Sequence, residues 1–218
     1  MLGDIPVYVY YILAYLFGSI PFSYLIPKWL KGVDVTKKYD TNVGASNAYY
    51  STGSWSIAIT CFILDFMKGF LPVYFVDPLA GVFGVMGHQY SIFMIAFKFK
   101  FRKAVIGLGM AATFGLLAVI APAMILISLV AFIIMMLLMS PMNPLKWYEI
   151  EVGNIETVFA MGIAALIYVM FFNPDTLTAR AILLLVISTT IAYSRRIRLQ
   201  LIDFLGLKKK KRRQYHHF

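Results

Sequence analysis

Apolar residues run along this chain in blocks separated by short polar stretches. A helix needs roughly 20 predominantly apolar residues to cross a hydrocarbon core of about 30 Å. The windows near 5–27, 55–76, 79–97, 155–173 and 178–193 supply that length or come close to it. The stretch 104–139 holds 36 residues without a charge. As one helix, at about 1.5 Å per residue, it would run to about 54 Å, so it must fold back. Ala121-Pro122 is the expected turn, because proline breaks the helical ladder. The pattern predicts an all-α integral membrane protein of about seven transmembrane helices: a single polytopic domain over 1–194 and a basic juxtamembrane tail over 195–218.

Charge adds orientation. Of the 20 Lys and Arg, four lie in 28–38, four in 98–103, one is Lys146 and nine fall between Arg195 and Arg213, all on alternate loops of a seven-span chain. The other loops carry Asp4, Asp77 and Asp175. Basic loops stay cytoplasmic, so the N-terminus is expected outside and the C-terminus in the cytoplasm. Composition agrees, with 61% hydrophobic and only 14% charged residues, too few charges for a water-facing surface. The net charge of +10 is not a nucleic-acid signal, because much of it sits in Lys208-Lys-Lys-Lys-Arg-Arg213 beside the membrane. Such a cluster is expected to engage anionic lipid. The single Cys61 supports neither a disulfide nor a multi-cysteine metal site.

Polar chemistry is concentrated in a few places. Gly18-Ser-Ile-Pro-Phe-Ser-Tyr24 interrupts the first apolar block, which by itself reads as a proline kink with a small residue for close helix packing. Asn42-Val-Gly-Ala-Ser-Asn47 offers side-chain donors around a glycine, and could orient phosphate or hydroxyl oxygens or cap a helix beginning near Ala48. Asp65 and Lys68 stand three apart within the second block, on one helix face. Intramembrane charges cost about 2.5–3.5 kcal/mol each, which marks them either as a pocket or as a clamp between helices. Gly87-His88 follows, and Phe97-Lys-Phe-Lys-Phe-Arg-Lys-Ala104 combines aromatic and basic residues, as headgroup anchors do.

Taken together, these segments resemble the bacterial acyl-phosphate-dependent glycerol-3-phosphate acyltransferases, the PlsY family. That family has a Ser-Gly-Asn-x-Gly-Ala-Thr-Asn pattern with an arginine three residues on. Here Asn42, Gly44, Ala45 and Asn47 match, Ser46 replaces threonine, and Asp40 and Tyr50 stand in place of the serine and the arginine. Leu64-Asp-Phe-Met-Lys-Gly69 is similar to its Leu-Asp-x-x-Lys-Gly, and Gly87-His88 to its Gly-His pair. The family's glycine-rich Phe-Lys-Gly-Gly-Lys-Gly has lost its glycines here; Lys100 matches its second lysine without gaps, and Lys103 when the following helix sets the register. Its C-terminal His-Arg-x-Asn-Ile-x-Arg is reduced to Ser194-Arg-Arg-Ile-Arg198.

The resemblance implies attack of the glycerol 3-phosphate 1-hydroxyl, or that of a related polar acceptor, on an acyl phosphate, with no cofactor and no metal. It implies a multi-pass enzyme of phospholipid synthesis in the inner (plasma) membrane. Candidate catalytic residues are His88, Lys100, Lys103 and Asp40; candidate substrate-binding residues are Asn42, Gly44, Ser46, Asn47, Asp65 and Lys68. Two other readings stay open. The replaced positions suit a non-catalytic paralogue that binds lipid or a protein partner, and Asp65, Lys68 and His88 could line the path of a small transporter.

Overall fold

The computed structural model describes residues 5–39, 41–99, 107–139 and 154–204, with side chains for all of these but 98–99, 135–139, 154–156 and 195–204. Among them every regular element is helical: α1 (Val7–Ser19), α2 (Phe22–Lys31), α3 (Ala45–Thr52), α4 (Trp55–Phe75), α5 (Pro78–Gln89), α6 (Met110–Ile120), α7 (Pro122–Met139), α8 (Asn154–Phe172) and α9 (Thr176–Phe204). A 3-10 turn at Val35–Lys37 and a π-helical turn at Met94–Phe99 join them. Among the described residues four segments are long and apolar enough to cross a membrane: Val7–Lys31, Trp55–Phe75, Pro78–Phe97 and Thr176–Ser194. Three shorter apolar helices accompany them, Met110–Ile120, Pro122–Ile134 and Thr157–Phe172.

Proline sets two of the breaks. The first apolar block is two helices rather than one, because Pro21 has no N–H to continue the α1 ladder and Ile20 takes an extended conformation before α2 begins. At the other end of α2, Gly32 adopts φ 66°, its N–H closes on the Lys28 carbonyl and that of Val33 on the Pro27 carbonyl, a left-handed stop that glycine meets without strain. The uncharged stretch breaks at Ala121, and Pro122 opens α7, as its sequence predicts. Asp77 and Asp175 begin α5 and α9 by accepting backbone N–H groups of the first turn. Hydrogen bonds from Thr178, its hydroxyl foremost, hold the Asp175 carboxyl below the usual carboxylate range.

Helices in lipid gain little from hiding apolar surface from one another, so close contact must come from small residues and polar links. Gly84 of α5 lies against the backbone of both α1 and α4: a Cβ there would overlap the Lys68 carbonyl, and one on Gly18 would overlap the Gly84 carbonyl. Gly69 and Gly115 bring α4 and α6 equally close. Around these contacts Val82, Val85, Leu116, Leu117, Met124 and Ile182 form the apolar core. Ile12, Ile59, Leu126, Leu166, Phe171 and Leu183 remain exposed outside it. The result places the polar segments together. Val35 and Val43, between α2 and α3, bury against Met94 beyond α5. Gln89, at the end of α5, donates to the Leu108 carbonyl (3.2 Å) and to Thr189 of α9 (3.4 Å), and accepts from Ser188.

Candidate functional site

At that end of the bundle α4 turns Asp65 and Lys68 to one face, each only 1% exposed. Lys68 Nζ lies 2.7 Å from Asp65 Oδ1. His88 of α5 brings Nδ1 to 3.3 Å from the same oxygen and 3.2 Å from the ammonium. Ser23 of α2 donates its hydroxyl to the other carboxylate oxygen at 2.5 Å. Phe22, its neighbour, sets its ring 5.1 Å from Nζ, where the face of an aromatic attracts a cation. Three helices thus enclose a compensated ion pair. Removed from water, neither charge would be tolerated without the other.

The imidazole links this pair to the polar loop. A Cβ on Gly107 would overlap His88 Nε2, and the Val43 carbonyl is within contact of the same point. The chain leaving the basic segment therefore returns directly onto His88, beside the 41–47 loop. Glycine is required there by space.

Within the loop, the Asn47 amide donates to the carbonyls of Val35 (2.9 Å), Asn42 (2.8 Å) and Lys38 (3.4 Å), and its oxygen accepts from Ser51 (3.1 Å). Asn47 is buried and latches the loop; Ser46 is exposed at the surface, with Asn42 and Gly44 half-buried. α3 begins at Ala45 rather than near Ala48, with Gly44, which has no side chain to offer, at its N-cap; the Asn47 amide goes to the loop carbonyls instead. The first-turn N–H groups of a helix have no intrahelical partner and favour an anion.

The structure brings Asp65, Lys68 and His88 into one cluster and sets the Asn42-to-Asn47 loop against it through Val43 and Gly107. Asp40, Lys100 and Lys103 lie outside the described residues. Three participants escaped the sequence reading. Ser23 was legible only as a hydroxyl just after the proline break, and Gly107 only as a glycine past a basic run. Thr41 occupies the place of the pattern's first glycine and still holds φ 61°, while Tyr39 holds φ 44°. The backbone keeps a left-handed conformation that a β-branched side chain resists. Thr41→Gly should therefore stabilise the protein by about 1 kcal/mol, after deducting the extra freedom glycine gives the unfolded chain. The thermal unfolding midpoint in detergent should rise; a fall would show that the loop relaxes away from this conformation.

Comparison with known proteins places these features in a family. The family model described as glycerol-3-phosphate acyltransferase matches residues 8–201. The chain belongs to the glycerol-3-phosphate acyltransferase family. It is 37% identical over 196 residues to the glycerol-3-phosphate acyltransferase of Thermotoga petrophila, covering 85% of this chain and 88% of the relative. Glycerol-3-phosphate acyltransferase 2 of Thermotoga maritima is 34% identical over the same coverage. Among solved structures, the glycerol 3-phosphate form of PlsY, an integral membrane glycerol 3-phosphate acyltransferase, aligns with a TM-score of 0.69 at 24% identity, covering 91% of this chain and 93% of PlsY. That likeness is one of fold. With its apolar helices, it makes this family member a multi-pass membrane protein.

Proposed function

We propose that the chain transfers an acyl group from acyl phosphate to glycerol 3-phosphate in phospholipid synthesis, at the cytoplasmic face of the inner membrane. The observation carrying this reading is convergence: the Asn42-to-Asn47 loop, Asp65, Lys68, His88 and both described flanks of the basic segment meet at one end of the bundle, although they are far apart in sequence. Seven spans, with the N-terminus outside and the C-terminus inside, are supported by the seven apolar helical segments and by the alternation of basic and acidic loops. The basic tail over 195–218 then lies at the cytoplasmic surface, where each Lys or Arg contributes about 1 kcal/mol of attraction to anionic lipid.

In this reaction the acceptor hydroxyl oxygen bonds to the carbonyl carbon of the acyl phosphate. The bond from that carbon to the phosphate oxygen breaks, and the electron pair and hydroxyl proton leave with the released phosphate. Phosphate is a good leaving group, so no covalent enzyme intermediate is needed; orientation and cationic stabilisation supply the acceleration. Asn42, Gly44, Ser46 and the first turn of α3 orient substrate oxygens, while Asn47 holds the loop that presents them. Lys100 and Lys103 supply phosphate charge, and Asp40, next in sequence to the polar loop, is a candidate catalytic residue. Lys68 acts through the cluster, since its ammonium is enclosed by Asp65, His88 and Phe22. His88 carries the rigidity of that cluster to Gly107 and the loop.

Purified protein in nanodiscs, given acyl phosphate and glycerol 3-phosphate, should release phosphate and form the acyl glycerol phosphate in equal amounts. Acyl phosphate consumed no faster than without protein would overturn the reading in favour of a non-catalytic paralogue.

A further inference from the structure

The first turn of α2 combines three residues whose arrangement the reaction alone does not explain. Pro21 breaks the preceding helix, Phe22 lays its ring over the Lys68 ammonium, and Ser23, wholly buried, donates to Asp65 Oδ2. A carboxylate turns about a broad, two-fold terminal torsion and is poorly fixed by its own rotamer. Here Oδ1 has two cationic or polar nitrogens to serve at once, at 2.7 and 3.3 Å. Pinning Oδ2 from a third helix fixes the plane in which Oδ1 can meet both.

We infer that Ser23 is a positioning residue for acyl transfer: its hydroxyl orients the Asp65 carboxylate so that Lys68 and His88 stay in register with the polar loop. This rests on the reading that the cluster belongs to the acyl-transfer site. The hydroxyl gives its proton to a carboxylate, a charge-assisted bond of the stronger class. Ser23 has no exposed surface from which to touch substrate, so its loss should appear in kcat rather than KM. The same turn joins the first apolar segment to the second at the site. Helix packing alone would have been served by alanine, which brings no donor to Oδ2.

The test compares Ser23→Ala and Ser23→Thr in the full-length protein in nanodiscs with the Asp65–Lys68 pair intact, and Ser23→Ala also with the pair replaced by Asp65→Leu and Lys68→Met. Ser23→Ala should lower kcat about 10- to 100-fold with KM little changed, the range expected for a hydrogen bond to a charged group. Ser23→Thr, which keeps the hydroxyl, should recover most of it. A second readout does not depend on turnover. The chain has three histidines, so His216→Gln with His217→Gln leaves His88 as the one imidazole in a nitrogen NMR spectrum. Ser23→Ala should move the His88 Nδ1 signal, Ser23→Thr should restore it, and in the Asp65→Leu, Lys68→Met background, where position 65 offers Ser23 no acceptor, Ser23→Ala should add nothing. A moved His88 signal in a protein that transfers no acyl group would sink the proposed reaction and keep the role of Ser23 in holding the cluster. An unmoved signal, kcat within twofold of wild type, or a Ser23→Ala shift of the His88 signal undiminished in the Asp65→Leu, Lys68→Met background would each overturn the inference.

Discussion

Lys68→Met should cost the protein about 3–5 kcal/mol of stability and more than 100-fold of activity. Removing one partner of a buried ion pair leaves the other uncompensated, and Asp65 at 1% exposure has no route to water. Methionine keeps the unbranched side chain to one atom short of the ammonium, so packing around Phe22 is largely preserved and the loss chiefly reports charge. The informative companion is Lys68→Met with Asp65→Asn. With both charges gone the desolvation penalty disappears; the asparagine oxygen can still accept from Ser23 and its amide can face His88. Thermal unfolding in detergent should place the double variant near wild type while acyl transfer remains lost. A single variant as stable as wild type would mean that water reaches the pair, and would remove the case for an enclosed cluster.

The apolar blocks made the helices legible because bilayer thickness imposes their length, and Pro122 could be read as a break because proline lacks a ladder donor wherever it stands. The first block was less legible: Gly18, Pro21 and Pro27 all lie within or beside it, and only packing decides that the chain breaks at Pro21 and continues through Pro27. Asp65 and Lys68 declared themselves by being charged inside a span. Their meeting with His88 depended on Gly84 bringing α5 against the α4 backbone, a contact that no local pattern encodes. Asn47 shows a different limit. Its amide was legible as a donor, but a donor serves substrate or backbone alike, and the carbonyls of Val35, Asn42 and Lys38 take it here. Thr41 shows the reverse, since the backbone keeps a glycine-like angle after the glycine is gone.

Asp40→Ser combined with Tyr50→Arg should raise glycerol-3-phosphate-dependent release of phosphate from acyl phosphate about 10-fold, the scale of one restored charge-assisted hydrogen bond. Both substrates are anions. The present chain meets them with an acid and a phenol where the family pattern has a hydroxyl and a guanidinium. Position 50 can take the change: Tyr50 is 46% exposed on α3. Its ring sits 5.8 Å from Tyr39 and 5.5 Å from Tyr49, which in turn packs 4.2 Å from Trp55. An arginine on that face would lie over aromatic rings that favour a cation and keep its fork free for phosphate. The aromatic edge also suggests what the wild-type residues serve. If the native acceptor is an uncharged polyol, Tyr50 provides an apolar face with one hydroxyl and Asp40 a hydrogen-bond acceptor, so wild type should outperform the double variant on a free polyol and lose to it on glycerol 3-phosphate. Measuring both acceptors with both proteins separates the cases. A gain on glycerol 3-phosphate without loss elsewhere marks a weakened enzyme of the expected reaction, crossing preferences mark a changed acceptor, and no turnover from either protein on either acceptor would leave the fold without the chemistry.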